Sequence, residues 1–310
     1  MRGTAASAFP DLARRPAVAG SFYPASAAAL ESLVEKLVHH AQAQSRPSPE
    51  TRVPVGLLLP HAGLVYSGAI AAAGWAQLLN ADPETTVVIL GTNHGAAWLD
   101  GVGVWDRGPW LLPTGELEVD EPLATAIAAL DDPFGVDREA HLEEHSIEVQ
   151  LPLLLRCAPR GTRIVPLAVS TGRGHAARAA GRRLGELLRD EQASGRSIVL
   201  AISTDMAHYP AADVCALVTG ALSPAIARLD AAGLDADEDS LRRRGLPNVL
   251  CGLCGIEPAI VGLAALSVMG CSAGSVLGSA TSADAGGPRE ETVGYLSVRF
   301  DRPDMDSITT

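Results

Sequence analysis

The segment Val53-Pro54-Val55-Gly56-Leu57-Leu58-Leu59-Pro60-His61-Ala62-Gly63 decides how the rest of the chain is read. Residues 55–59 form a short apolar run with no helical polar face, closed by Pro60 and, after His61, by Gly63. Such a run reads as a strand buried on both faces, as in a parallel sheet. The arrangement recurs. Val87-Val88-Ile89-Leu90 leads into Gly91-Thr92-Asn93-His94-Gly95, and Ile198-Val199-Leu200-Ala201-Ile202 leads into Ser203-Thr204-Asp205-Met206-Ala207-His208. Each run ends in a turn of small residues that carries His, or Asp with His. Ligands of open α/β sheets bind outside the carboxyl ends of the strands, so these tips are expected to converge on one site.

Outward from these runs, strand and helix patterns alternate. Helical spacing of apolar residues predicts helices from Ser26 onward and over residues 67–79, 121–130, 139–151, 175–192, 213–229, 237–244 and 256–269. The fourth of these is expected to stop at Pro152. Further strands are expected at residues 101–105, 164–169, 275–280 and 292–300, with Pro166 suggesting an edge or a bulge. The alternation defines an α/β layered domain around a mixed, largely parallel sheet. Residues 1–15 read as a loose leader, 16–300 as one domain and 301–310 as a tail.

Composition narrows the function. A chain of 310 residues, 47% hydrophobic and 19% charged, buries a substantial core. The formal net charge of −12 argues against nucleic acid or an anionic membrane as partner. Five cysteines (157, 215, 251, 254 and 271) do not form an even disulfide framework, and point to a reducing, cytoplasmic setting. The N-terminus has no continuous apolar segment of the signal-peptide kind. The most apolar stretch, residues 255–269, is interrupted by Glu257 and Pro258. No phosphate-binding loop, G-x-G-x-x-G fingerprint or G-x-S-x-G elbow is present.

Three constellations carry candidate chemistry. The first is the strand-end set His61, His94, Asp205 and His208, whose imidazoles and carboxylate suit a metal or acid–base site. Each alone is equally a hydrogen-bonded loop residue; their joint placement is the signal. The second is His141-Leu142-Glu143-Glu144-His145-Ser146-Ile147-Glu148. On a continuous helix His141 and His145 share a face, and the string matches H-x-x-E-H, so a zinc hydrolase built on His141, Glu144 and His145 is one reading. A charged exposed helix face is the other. The third is Cys251-Gly252-Leu253-Cys254-Gly255. One C-x-x-C cannot make a four-cysteine zinc site, and both thiols are equally plain buried residues. Cys254, at the start of a helix, is the better ligand.

With these motifs assembled, the chain resembles the Memo family, known in prokaryotes as AmmeMemoRadiSam system protein B. The resemblance rests on AGSFYP (19–24), PHAGLVYSG (60–68), LGTNH (90–94), EHSIEVQLP (144–152), STDMAH (203–208) and CGIEP (254–258), in that order. It implies a three-layer α/β/α sandwich similar to the class III extradiol non-haem iron dioxygenases. It also implies metal ligation by His61, His94 and Cys254, with Cys251 as the fallback sulfur. Asp205, His208 and His145 would do catalytic work, with His208 as general acid–base, and Tyr23 and Tyr66 would line the substrate pocket. The implied cofactor is one divalent ion, Fe(II) by analogy, although a thiolate ligand admits copper or zinc. The implied activity is a dioxygenase-like oxidoreductase acting on a small, aromatic substrate alongside a radical-SAM partner protein. The alternative is a non-enzymatic metal-binding or scaffold protein.

Overall fold

A computed structural model describes residues 13–44 and 52–303. The first twelve leader residues, the linker at 45–51 and the tail beyond 303 lie outside the described residues. After α1 (Ala27–Gln44), the chain enters β1 (Gly56–Leu59), α2 (Leu64–Trp75) and β2 (Thr86–Thr92). Next come β3 (Gly101–Val104), a small hairpin of β4 (Trp110–Leu112) and β5 (Gly115–Leu117), α3 (Glu121–Ala128) and β6 (Phe134–Val136). Then follow α4 (Glu139–Leu142), α5 (Leu151–Cys157), β7 (Arg163–Ser170), α6 (His175–Ala193) and β8 (Ile198–Ser203). The chain closes with α7 (Ala212–Ala227), α8 (Ala231–Arg244), α9 (Ile256–Val268), β9 (Ala273–Thr281) and β10 (Gly294–Asp301).

Eight strands form one mixed sheet in the order β6-β3-β7-β2-β8-β1-β10-β9. The three runs read first from the sequence are its neighbours β2, β8 and β1, all parallel and buried along their lengths. In register, Leu59 faces Ser203 and Leu90 faces Ile202, so the three strands end at one level. The strand period of two then sends alternate side chains to opposite layers. A Cβ at Gly56 would strike Leu266 of α9, whereas Leu59 reaches Gly74 of α2. Helices α1, α2 and α5 pack together on one face, and α6, α7, α8 and α9 on the other. The fold is thus the expected α/β class, with helices on both sides of a mixed sheet.

The sequence reading fails at two prolines. Pro166 lies in β7, between β3 and β2, not at an edge or a bulge. Its carbonyl accepts from Trp105 just past the end of β3, and its missing N–H faces that same side, so the pairing with β2 loses nothing. Pro152 does not stop a helix spanning 139–151; it stands in the first turn of α5, where a proline needs no N–H partner. The predicted helix is broken after Leu142, because Glu144 turns its carboxylate onto the backbone N–H groups of His145 and Ser146. Local side-chain bonds of this kind compete with helical ones.

Arg14, which the sequence places in the leader, is buried. Its guanidinium pairs with Glu148, donates to the carbonyls of His141 and Glu144, and lies 4.2 Å over the Trp110 ring. No helix among the described residues is long and apolar enough to cross a membrane.

Candidate metal centre

His61 follows β1, His94 follows β2, Asp205 and His208 follow β8, and Cys254 stands two residues before α9. Because the three strands are parallel neighbours, their carboxyl-end turns meet. Ligand atoms of His61, His94 and Cys254 all lie within 4.8 Å of one another, a spacing that could hold a metal ion. Two further groups overlap this one: His94, Glu144 and His145, and Asp205, His208 and Cys254. Cys251 is in none of them, so Cys254 is the sulfur at the centre.

The hydrogen bonds fix both imidazole tautomers. Ser203 gives its single hydroxyl proton to the carbonyl of Ser146 and accepts from Gln150 Nε2. The 3.0 Å contact between Ser203 Oγ and His61 Nδ1 therefore has the imidazole as donor. His94 Nδ1 lies 2.9 Å from Glu144 Oε1, and a carboxylate only accepts. Both rings carry their proton on Nδ1, which leaves each Nε2 lone pair bare. Orientation of this kind by a second layer of partners is what metal-ligating histidines require. His61 Nε2 is 3.2 Å from Cys254 Sγ, and the proton shared there is the one a metal ion would replace. The donor set fits a borderline-soft ion.

Electrostatics follow from burial. His61, 1% exposed, is held well below the ordinary histidine range by desolvation and by the neighbouring His145 and His94. Burial lowers His145 and His208 to about 4, so both rings are neutral near pH 7. Burial raises Asp205 to about 7, against the backbone N–H bonds from His61 (2.7 Å) and Ala62 (3.3 Å). Burial and the Asp205 carboxylate push the Cys254 thiol well up. Glu144 is the exception: despite burial, its bonds to His94 hold it far below the usual carboxylate range.

The remaining predicted residues fall as follows. The His145 ring stacks on His94 at 4.5 Å and meets Phe22 at a tilt, with centroids 4.6 Å apart, at the wall of the centre. His208 Nε2 is buried with no hydrogen-bond partner and lies 3.9 Å from Asp205 Oδ2. Tyr23 is buried and gives its hydroxyl to Glu148 at 2.5 Å, so it braces the Arg14–Glu148 pair and does not offer that hydroxyl to the pocket. Tyr66 is exposed on the first turn of α2.

The zinc-hydrolase reading is overturned. His141 is fully buried between Trp105 and Trp110, and its Nε2 donates to the Gly103 carbonyl at 2.9 Å. It belongs to none of the groups that could hold an ion among the described residues. With the helix broken between them, His141 and His145 do not share a face.

Sequence reasoning missed the residues that hold the candidate ligands. Ser203 reads as a turn residue, Gln150 only as a position in the predicted helix 139–151, and Glu144 as part of a hydrolase motif. The one signal was that Glu144, Ser146 and Gln150 all lie within EHSIEVQLP.

Fold and site define an α/β protein in which side chains that could hold a metal ion gather at the carboxyl ends of its central parallel strands. The chain matches the Memo-like protein family over residues 14–299. A MEMO1 family protein of Methanopyrus kandleri is 34% identical over 93% of this chain and 99% of its own length. MEMO1 family proteins of Aquifex aeolicus and Sulfolobus acidocaldarius are 34% and 33% identical, over 93% of this chain and 98% and 99% of theirs. The chain belongs to the Memo-like family.

Proposed function

We propose that this protein is a metal-dependent, dioxygenase-like oxidoreductase whose resident ion is iron(II), held by His61 Nε2, His94 Nε2 and Cys254 Sγ. The observation that carries the reading is the pair of imidazoles with Nδ1 protons tied to Ser203 and Glu144, which leaves both Nε2 atoms bare in residues grouped with one sulfur. When bound, the ion supplies a Lewis-acid and redox centre with open positions for substrate. The chain's own residues bind and move protons around it. His208 Nε2, neutral and without a partner, accepts a proton from a substrate hydroxyl. Asp205 Oδ1 holds the His61 and Ala62 backbone in place. Phe22 and His145 form an aromatic wall suited to a planar, small-molecule substrate. The choice of iron and of dioxygenase-like chemistry rests on the resemblance to extradiol enzymes, since a thiolate also suits zinc or copper. Partnership with a radical-SAM protein rests on the family resemblance alone.

Elemental analysis of protein purified without oxygen or chelators tests the ion, and oxygen uptake with a panel of catechols after anaerobic ferrous reconstitution tests the reaction. One iron per chain with uptake is expected. Tight iron binding without uptake for any catechol favours a metal-holding, non-enzymatic role. Failure of every divalent ion to bind overturns the reading.

A further inference from the structure

The centre contains more ligand atoms than one ion needs, and they are not equally available. In the group His94, Glu144 and His145, the carboxylate oxygen that faces both rings is fully occupied. Glu144 Oε1 accepts from His94 Nδ1 and from the backbone N–H groups of His145 and Ser146, and Oε2 accepts from the backbone N–H of His94. Oε1, the oxygen nearest the Nδ1 atoms of both His94 and His145, therefore has no lone pair left for a cation there.

The group Asp205, His208 and Cys254 differs. Both backbone bonds to Asp205 go to Oδ1. Oδ2 lies 3.9 Å from His208 Nε2, too far for a hydrogen bond but a separation that one ion can bridge. His208 Nε2 is buried and has no partner, an arrangement that costs free energy unless something occupies it. Cys254 Sγ completes the group: it, one carboxylate oxygen of Asp205 and one ring nitrogen of His208 lie within 4.8 Å of one another. It stands 3.2 Å from His61 Nε2 on its other side, so it is common to both sets.

From this sharing we infer that the centre has a second metal position, formed by Asp205 Oδ2 and His208 Nε2 with Cys254 Sγ as the ligand bridging to the first. The ion it takes is a thiophilic divalent cation such as zinc or cobalt, because one thiolate, one imidazole and one carboxylate suit that class. Two cations on one thiolate repel, so this position fills after the first and more weakly. It is also inhibitory: an ion there occupies the His208 nitrogen assigned above to proton transfer. The inference rests on the metal-binding reading of His61, His94 and Cys254.

The test is cobalt(II), dialysed anaerobically against the chelator-treated full chain, counting ions per chain and following thiolate-to-cobalt charge-transfer absorption. Wild type is expected to hold two ions, with the absorption growing in two steps. His208→Gln and Asp205→Asn, in which Asn keeps the Oδ1 acceptor, are each expected to hold one. One ion in wild type overturns the second position and leaves the first standing. Two ions in wild type and in both variants also overturn it, by putting the second ion elsewhere. No ion in wild type removes the metal reading itself.

Discussion

Nδ1 of His94 lies 2.9 Å from Oε1 of Glu144, fifty positions further along the chain, and the same carboxylate takes the His94 backbone N–H at 2.7 Å. A single acidic side chain thus sets both the backbone and the ring of one metal-ligand candidate. The helix that the sequence predicts is broken at the point where this carboxylate turns inward.

Glu144→Gln tests that dependence. The amide cannot accept at every bond the carboxylate accepts, so the His94 ring loses its fixed tautomer. Metal affinity is expected to fall about 10- to 100-fold, as for other second-layer partners. Competition with a chromophoric chelator measures it, and unchanged affinity would make Glu144 a purely structural residue.

His61→Ala and His141→Ala separate the centre from the rejected hydrolase. His61→Ala is expected to abolish tight metal binding. His141→Ala is expected to keep it while losing about 2–4 kcal/mol of stability, from the cavity between two tryptophans and the lost bond to Gly103. Denaturant melts and metal content of the two variants decide the matter.

The same histidine predicts a pH effect. Burial lowers His141 to about 4, from an ordinary value of 6.5, and its Nδ1 is buried without a partner. Between those values the unfolded chain binds the extra proton, so stability rises with pH there. As pH falls from about 6.5 to about 4, about 3 kcal/mol is lost, and below that this group adds no further loss. Urea melts of wild type and His141→Gln across that range should converge by about this amount at the acid end.

Arg14 is expected to matter more than its position near the chain start suggests. Arg14→Ala leaves Glu148 buried without its counter-charge and frees the Glu144 carbonyl. Breaking a buried pair of this kind costs about 3–5 kcal/mol. A drop in urea midpoint of corresponding size checks it, and a surface-like effect below about 0.5 kcal/mol would contradict the burial.

Two helical glycines should respond in opposite directions to alanine. At Gly181 of α6 a Cβ would sit 2.2 Å from the Val261 carbonyl oxygen of α9, whereas at Gly220 of α7 it meets nothing within 4 Å. Alanine gains about 1 kcal/mol of helix propensity at either. Gly181→Ala is nonetheless expected to destabilise by about 1–3 kcal/mol through overpacking, and Gly220→Ala to stabilise. Thermal melts of the two variants give the signs.

What the sequence determined by itself was whatever short-range pattern encodes. Continuous apolar runs ending in Pro, Gly and His gave β1, β2 and β8, and parallel strands must bring such ends together. Hence His61, His94, Asp205 and His208 were legible, and ordered motifs added Cys254. The small strands β4, β5 and β6 were not, because three residues carry no measurable period.

Tertiary structure alone decided which atoms of those residues are free. The His61 tautomer depends on a proton that Ser203 gives to Ser146, and the His94 tautomer on Glu144. Whether His141 is ligand or core depends on two tryptophans that close around it. Hydrogen bonds between residues tens to hundreds of positions apart leave no periodic trace in a sequence, yet in a buried site they fix where every proton sits.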